Sequence, residues 1–317
     1  MCVINRVKRF FYIMAAILCA CISRAQQDVS FAHYWAMEPS FNPASVGKES
    51  KLNAVAAYAM QFAGFEHNPK TMYAAADMPV YALKSYHGVG IQLLNDDIGL
   101  FSHKRLGLQY AYKKSLFGGT LSAGLQATLL SESFKGSEVV LNEDSNDPAF
   151  SKSDVNGTGF DFSAGLYYQH RNWYVGVSAL HFNSPLIYLG ETNEFNISAT
   201  YYLTGGYNIR LRNPFLTIHT SALGRTDGVA WRADVTARLK YTHEKRVMYA
   251  GVSCSPTNSV TVLIGGDFHG IHLGYSYEVY TSAISLGNGS HELFVGYQTE
   301  LNLYKKGRNL HKSVRIL

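Results

Sequence analysis

Trp231-Arg232-Ala233-Asp234-Val235-Thr236-Ala237-Arg238-Leu239-Lys240-Tyr241 alternates without a break between two kinds of residue. The odd positions are apolar throughout, and the even ones carry Arg, Asp, Thr, Arg and Lys. Successive side chains of a β-strand point to opposite faces, so this segment has one apolar and one charged face. An Arg or Lys facing lipid in a membrane barrel costs about 2–4 kcal/mol near the midplane. That cost sends Arg232, Asp234, Arg238 and Lys240 into a watery lumen and turns Trp231, Val235 and Leu239 towards lipid. The four charges are expected to pair in an internal network that fills the barrel, or to touch a plug or a passing polypeptide.

The same period of two recurs along the chain. Leu121, Ala123, Leu125, Ala127 and Leu129 alternate with Ser122, Gly124, Gln126 and Thr128; Phe160–Gln169 and Ile271–Val279 repeat the theme. About fourteen candidate strands follow, near 51–60, 70–78, 88–95, 104–114, 119–130, 158–169, 172–181, 194–207, 215–225, 230–241, 247–255, 259–266, 270–280 and 290–301. Many have the roughly 9–11 residues that a tilted strand needs to cross a bilayer. A membrane interior leaves no backbone group to water, so repeated strands without membrane helices imply a closed barrel, and an even strand number leaves both ends of it on one side. The fold class is therefore all-β: a single transmembrane antiparallel β-barrel. The short connections Ser115–Gly118, His170–Arg171 and Thr242–Arg246 are expected on the periplasmic side and the long Ser131–Gly157 outside. A soluble sandwich, the competing reading, accounts less well for 47% hydrophobic and only 16% charged residues. In this register Ala123→Arg, on lipid, is expected to cost barrel yield while Gln126→Arg is tolerated.

Residues 1–25 read as a signal peptide: Arg6, Lys8 and Arg9, then apolar Phe10–Ile22, then Ser23-Arg24-Ala25 before Gln26. Leu18-Cys19-Ala20-Cys21 loosely resembles a lipobox, which would instead lipidate Cys21. Four of the 28 basic residues and no acidic one lie in this segment, leaving 24 against 23 in the mature chain. Such neutrality gives no basic face for nucleic acid, only a basic tail over 302–317. Cys254 is the sole cysteine after the signal, which excludes an internal disulfide and a cysteine-rich zinc site. Residues 26–49 carry Phe31, Tyr34, Trp35, Phe41, Asn42 and Pro43 without strand alternation. Aromatics in that number are expected to be buried, so this periplasmic N-terminal segment either plugs or caps the periplasmic end of the barrel over 50–301, or docks a partner.

Motifs for chemistry are weak. Asn95, Asp96 and Asp97 before Gly99 are expected to form an Asx turn at the outer mouth, or a contact there for a cation or partner. The 142–147 run lacks the glycine and final glutamate of a calcium loop. Gly265–Gly270 reads as a tight turn and not a phosphate loop, because no Gly-Lys-Ser/Thr follows. His33, His67, His170, His219 and His272 form no H-E-x-x-H array. No cofactor, metal site or catalytic residue is expected, although a hydrolase triad assembled across strands would leave no local motif.

Gln26-Gln27-Asp28, Phe31, Tyr34, Phe41-Asn42-Pro43-Ala44 and Gly47, then Gln61-Phe62-x-Gly64, Asn68-Pro69-Lys70-Thr71 and Gly88-Val89-Gly90-Ile91-Gln92-Leu93-Leu94-Asn95-Asp96-Asp97-Ile98-Gly99, resemble the PorP/SprF family of type IX secretion system outer-membrane proteins. Phe62 and Ala59 depart from the residues usual there. The resemblance implies a non-enzymatic outer-membrane component of the secretion and gliding apparatus. Its implied partners are periplasmic secretion components and a secreted surface adhesin or other client, within outer-membrane lipid. A channel for small solutes or hydrophobic compounds is the alternative.

Overall fold

The computed structural model describes residues 28–138, 153–190, 193–244, 246–256, 258–281 and 288–301. The expected signal peptide with Cys21, the 142–147 run and the basic tail lie outside them. Fourteen antiparallel strands close into one barrel. They are β1 (Lys51–Met60), β2 (Lys70–Ala82), β3 (Ser85–Ile98), β4 (Phe101–Leu116), β5 (Gly119–Phe134), β6 (Val155–Gln169), β7 (Trp173–Leu180), β10 (Thr200–Arg210), β11 (Leu216–Thr226), β12 (Trp231–His243), β13 (Arg246–Ser255), β14 (Ser259–Phe268), β15 (Ile271–Tyr280) and β16 (Ser290–Glu300). β1 pairs with β16 from Lys51↔Glu300 to Met60↔His291, and that ladder removes the sheet edge.

The expected strand at 194–207 is two elements. β8 (Leu186–Leu189) and β9 (Asn193–Asn196) form a separate hairpin, and the barrel resumes only at Thr200. Ile187 and Ile197 pack on Leu130 from inside the wall, so apolar burial and not the ladder holds this excursion. Asn95, Asp96 and Asp97 also differ from expectation. They lie within β3 and not in a turn, paired with Lys104, His103 and Ser102 of β4. Asp96 is drawn into the lumen, where it accepts a hydrogen bond from Thr71 Oγ1 at 2.6 Å; the turn itself falls at Gly99-Leu100.

One end of the barrel carries tight turns. Leu83-Lys84, Phe117-Gly118 and His269-Gly270 all have positive φ at both residues, the geometry two-residue hairpins need to follow strand twist. The Gly265–Gly270 turn thus shrinks to its last two residues, and Gly265 and Gly266 belong to β14. At the other end the chain leaves the barrel after Phe134 and after Leu180, where the next barrel strands begin only at Val155 and Thr200. Both the start of β1 and the end of β16 lie at the short-turn end.

The sheet is inverted relative to a soluble protein. On β5, Leu125 and Leu129 are exposed on the outside, while Ser122, Gln126 and Thr128 are buried on the inside. Exposed Tyr81, Tyr86, Phe117, Trp173 and Tyr241 gather near the short-turn end, as an interfacial girdle does. The outward face of Ala123 fits the expected penalty for Ala123→Arg. Gln126 does not fit the tolerance expected of Gln126→Arg. Its amide exchanges hydrogen bonds with Gln92 at 3.0 Å, Gln109 at 2.7 Å and Thr128 at 2.8 Å. A buried guanidinium there would break all three, so both substitutions should lower folded yield.

Candidate functional site: the lumenal segment

Residues 28–50 do not stop at one opening. They run through the lumen from the long-loop end, where Asp28 meets β4, β10 and β11, to the short-turn end, where Lys51 begins β1. Three single-turn 3-10 helices, Tyr34–Ala36, Glu38–Ser40 and Pro43–Ser45, compact the path. The last follows directly from Phe41-Asn42-Pro43-Ala44. Proline pre-sets the backbone at the first helical position, and the Asn42 side chain caps it by accepting from the Ala44 amide at 2.9 Å.

Charged side chains hold the first half. Asp28 pairs with Arg105 at 2.6 Å and accepts from the Tyr202 hydroxyl at 3.0 Å, while Arg225 donates to the Asp28 carbonyl at 2.9 Å. His181, just past β7, bridges Asp28 at 3.5 Å and Asp161 at 2.9 Å. Burial resists charge on Asp28, but Arg105 and His181 outweigh it and hold its carboxyl well below the usual carboxylate range. Burial and Arg105 likewise oppose a charge on His181, and Asp161 and Asp28 outweigh them, so its pKa is raised. Five residues on, Glu292 of β16 accepts from the Ala32 amide at 2.6 Å, the His33 amide at 2.9 Å and His33 Nδ1 at 2.7 Å.

Backbone contact and shape hold the second half. Gln109 Nε2 donates to the Pro39 carbonyl at 2.6 Å, and Ser178 Oγ to the Phe41 carbonyl at 2.5 Å. Asn42 Nδ2 reaches the Leu166 carbonyl at 3.2 Å. The wall is cut away to admit this chain. A Cβ on Gly124 would lie 2.3 Å from the Ala44 nitrogen, and one on Gly88 would lie 2.1 Å from the Val46 oxygen. Gly47 closes the segment by donating to Asp77 at 2.7 Å.

The six aromatic-segment candidates therefore share one place. Phe31, Tyr34, Phe41, Asn42 and Pro43 are buried, and Trp35 is half-buried with the Arg238 guanidinium 3.6 Å above its ring. Phe31 joins Met37, Tyr73 and Phe294 in one apolar cluster; Tyr34 and Phe41 join Leu180, Tyr202 and Leu223 in another. Of the four charges singled out on β12, all face inward, but among the described residues only Arg232 and Asp234 are in ion pairs. Arg232 contacts Asp234 at 3.1 Å and Glu278 at 3.2 Å, whereas Arg238 stacks on the segment and Lys240 lines a cavity. The wall residues that grip the segment, Arg105, Gln109, Ser178 and Glu292, escaped the sequence reading. Each sits on an inward position of an alternating strand, which was the available signal, but nothing local says which inward residues meet a partner.

Open space remains beside the segment. One cavity, about 390 Å³, lies at the long-loop end among Asp96, Phe101, His103, Glu132 and Phe195. Another, about 220 Å³, lies towards the short-turn end among Trp35, Arg238, Lys240, Tyr249 and His272.

The barrel resembles solved structures at low identity. The CymD monoaromatic hydrocarbon channel superposes with a TM-score of 0.52 at 10% identity, covering 88% of this chain and 96% of that one. The Pseudomonas putida toluene transporter TodX gives 0.50 at 11% identity, covering 88% and 97%. These likenesses concern fold alone. No curated protein sequence matches the chain. A family model, "Type IX secretion system membrane protein PorP/SprF", matches residues 23–297. With an apolar exterior, a closed fourteen-strand wall and that match over most of its length, the chain is an outer-membrane β-barrel that belongs to the PorP/SprF family of type IX secretion system membrane proteins.

Proposed function

We propose that this barrel serves type IX secretion by protein–protein contacts, in the export or surface attachment of client proteins, and performs no chemical step. The observation that carries this reading is the occupied lumen. Residues 28–47 are held by wall residues from Asp28 to Gly47, so the barrel offers two rims and their loops to partners instead of a through-channel. Family membership supplies the secretion context. On this reading the short turns face the periplasmic components and the 135–154 and 181–199 connections face the client.

The alternative, a solute channel, draws on the half-apolar 390 Å³ cavity at the long-loop end and on the channel and transporter named among its structural neighbours. Crosslinking and affinity capture from native outer membranes tests the two. Recovery of periplasmic secretion components or a large surface protein with the heat-modifiable barrel is expected. A folded barrel that captures neither and takes up or conducts small apolar solutes in vesicles would replace this reading with the channel.

A further inference from the structure

Arg238 and Lys240 project from β12 into the short-turn half of the lumen, and among the described residues neither has a carboxylate oxygen within 4.0 Å. Arg232, on the same face of the same strand, has two. The unpaired cations line the 220 Å³ cavity. Two carboxylates also line it. Asp267 is turned to His272 Nδ1 at 3.4 Å and to the Gly270 amide at 3.2 Å, while Glu49 is exposed just before β1.

The guanidinium of Arg238 lies 3.6 Å from the centroid of the Trp35 ring. Stacking uses the face of the planar group and leaves its in-plane N–H donors free, the fork that suits a carboxylate or phosphate. Its Nε is buried without a hydrogen-bond partner, as is His272 Nε2, a donor in the tautomer that carries its proton there. Native interiors rarely leave a buried donor unpaired without a bound group or a role to explain it. Lys240 adds a third source of positive charge, and Trp35, Val55 and Phe294 supply an apolar wall.

We infer that this cavity binds an oxyanion, a carboxylate or phosphate group attached to a small apolar body, with Arg238 as the planar fork, Lys240 as the mobile charge and Trp35 as the platform. The inference is independent of the secretion reading. Two sources offer this chemistry: the free carboxylate of a polypeptide terminus, and phosphate, free or in a lipid headgroup.

The test uses the full mature barrel folded in detergent, with Trp173 and Trp231 replaced by phenylalanine so that Trp35 reports alone. Inorganic phosphate, a short apolar peptide with a free C-terminal carboxylate, and the same peptide amidated are titrated in turn. A saturable change in Trp35 emission is expected for phosphate or the free peptide, at least tenfold weaker in Lys240→Gln and Arg238→Gln and unchanged in Lys135→Gln, a control at the opposite end. Lys240 does not stack on the segment, so K240Q keeps the test decisive if R238Q loosens the fold. Free peptide at least tenfold tighter than phosphate and the amide assigns the site to a polypeptide terminus; the reverse order assigns it to phosphate. No saturable response to any probe, or equal affinity in the wild type and K240Q, overturns the proposal.

Discussion

The two halves of the lumenal segment are held by different physics. From Asp28 to His33 the grip comes from charged wall side chains: Arg105 and His181 on the Asp28 carboxylate, Arg225 on its carbonyl, and the Glu292 carboxylate on the Ala32 and His33 amides. From Pro39 to Val46 the contacts are neutral and pass largely through backbone, with carbonyls taken up by Gln109 and Ser178 and the chain pressed onto Gly88 and Gly124, before Gly47 donates to Asp77. Ionic contacts respond to pH, and to salt where they reach water, and can be exchanged for those of another ligand. Steric seating responds to neither. The long-loop half is therefore the part of the grip that pH and salt can weaken, and the short-turn half the part they leave in place.

Removing one charge gives the largest expected effect. Arg105→Ala leaves Asp28 buried without its main partner, a loss of about 3–5 kcal/mol for a buried pair. Nitroxide labels at Ser30→Cys and Ser40→Cys, in a Cys254→Ser background, should show Ser30 mobilised and Ser40 unchanged. Equal mobilisation of both would dissolve the distinction between halves.

Adding bulk comes next. Gly124→Val drives a side chain into the Ala44 backbone, and overpacking costs about 1–3 kcal/mol, more where a main chain must move. Here Ser40 should loosen first while the barrel still migrates as folded on a heat-modifiability gel. A thermal midpoint equal to wild type would show that the wall glycines are not a steric seat.

The gentlest probe is pH. Asp28 has a depressed pKa, so its contribution is complete above the ordinary carboxylate value of about 4 and is lost as pH falls through the lower folded value. His181 has a raised pKa; its contribution is complete below the ordinary imidazole value of about 6.5 and is lost as pH rises through the higher folded value. Ser30 mobility should therefore be least at about pH 5–6 and rise on both sides, with Ser40 flat throughout. A flat response at Ser30 would remove His181 from the anchor.

The wall was legible in the sequence because it is periodic. Fourteen strands and the inward placement of Arg232, Asp234, Arg238 and Lys240 follow from alternation, since the cost of misplacing a charge against lipid is large at every strand. The β8–β9 hairpin was not legible, because three residues after Asn196 break a run that otherwise alternates like its neighbours. Asn95, Asp96 and Asp97 misled for a related reason. Turn-forming residues with a following glycine read as a turn in isolation, but a lumen partner such as Thr71 lets a strand keep an aspartate. The plug was half legible. Phe31, Tyr34 and Phe41 demanded burial, yet the depth of insertion depends on Gly88 and Gly124, which local sequence shows only as strand glycines. His33 and Glu292 are separated by most of the chain, and no spacing rule connects them.

The central claim is that residues 28–47 are a folded part of the lumen and not an arm outside it. Amide hydrogen exchange on the native barrel, read by mass spectrometry on peptides covering Val29–Gly47, tests this most directly. The account predicts slow exchange at Ala32, His33, Ala44 and Gly47, whose amides are hydrogen-bonded to Glu292, Asn42 and Asp77, within range of the barrel strands. Exchange across Val29–Gly47 at the rate of an unstructured peptide, with the strands still protected, would contradict it.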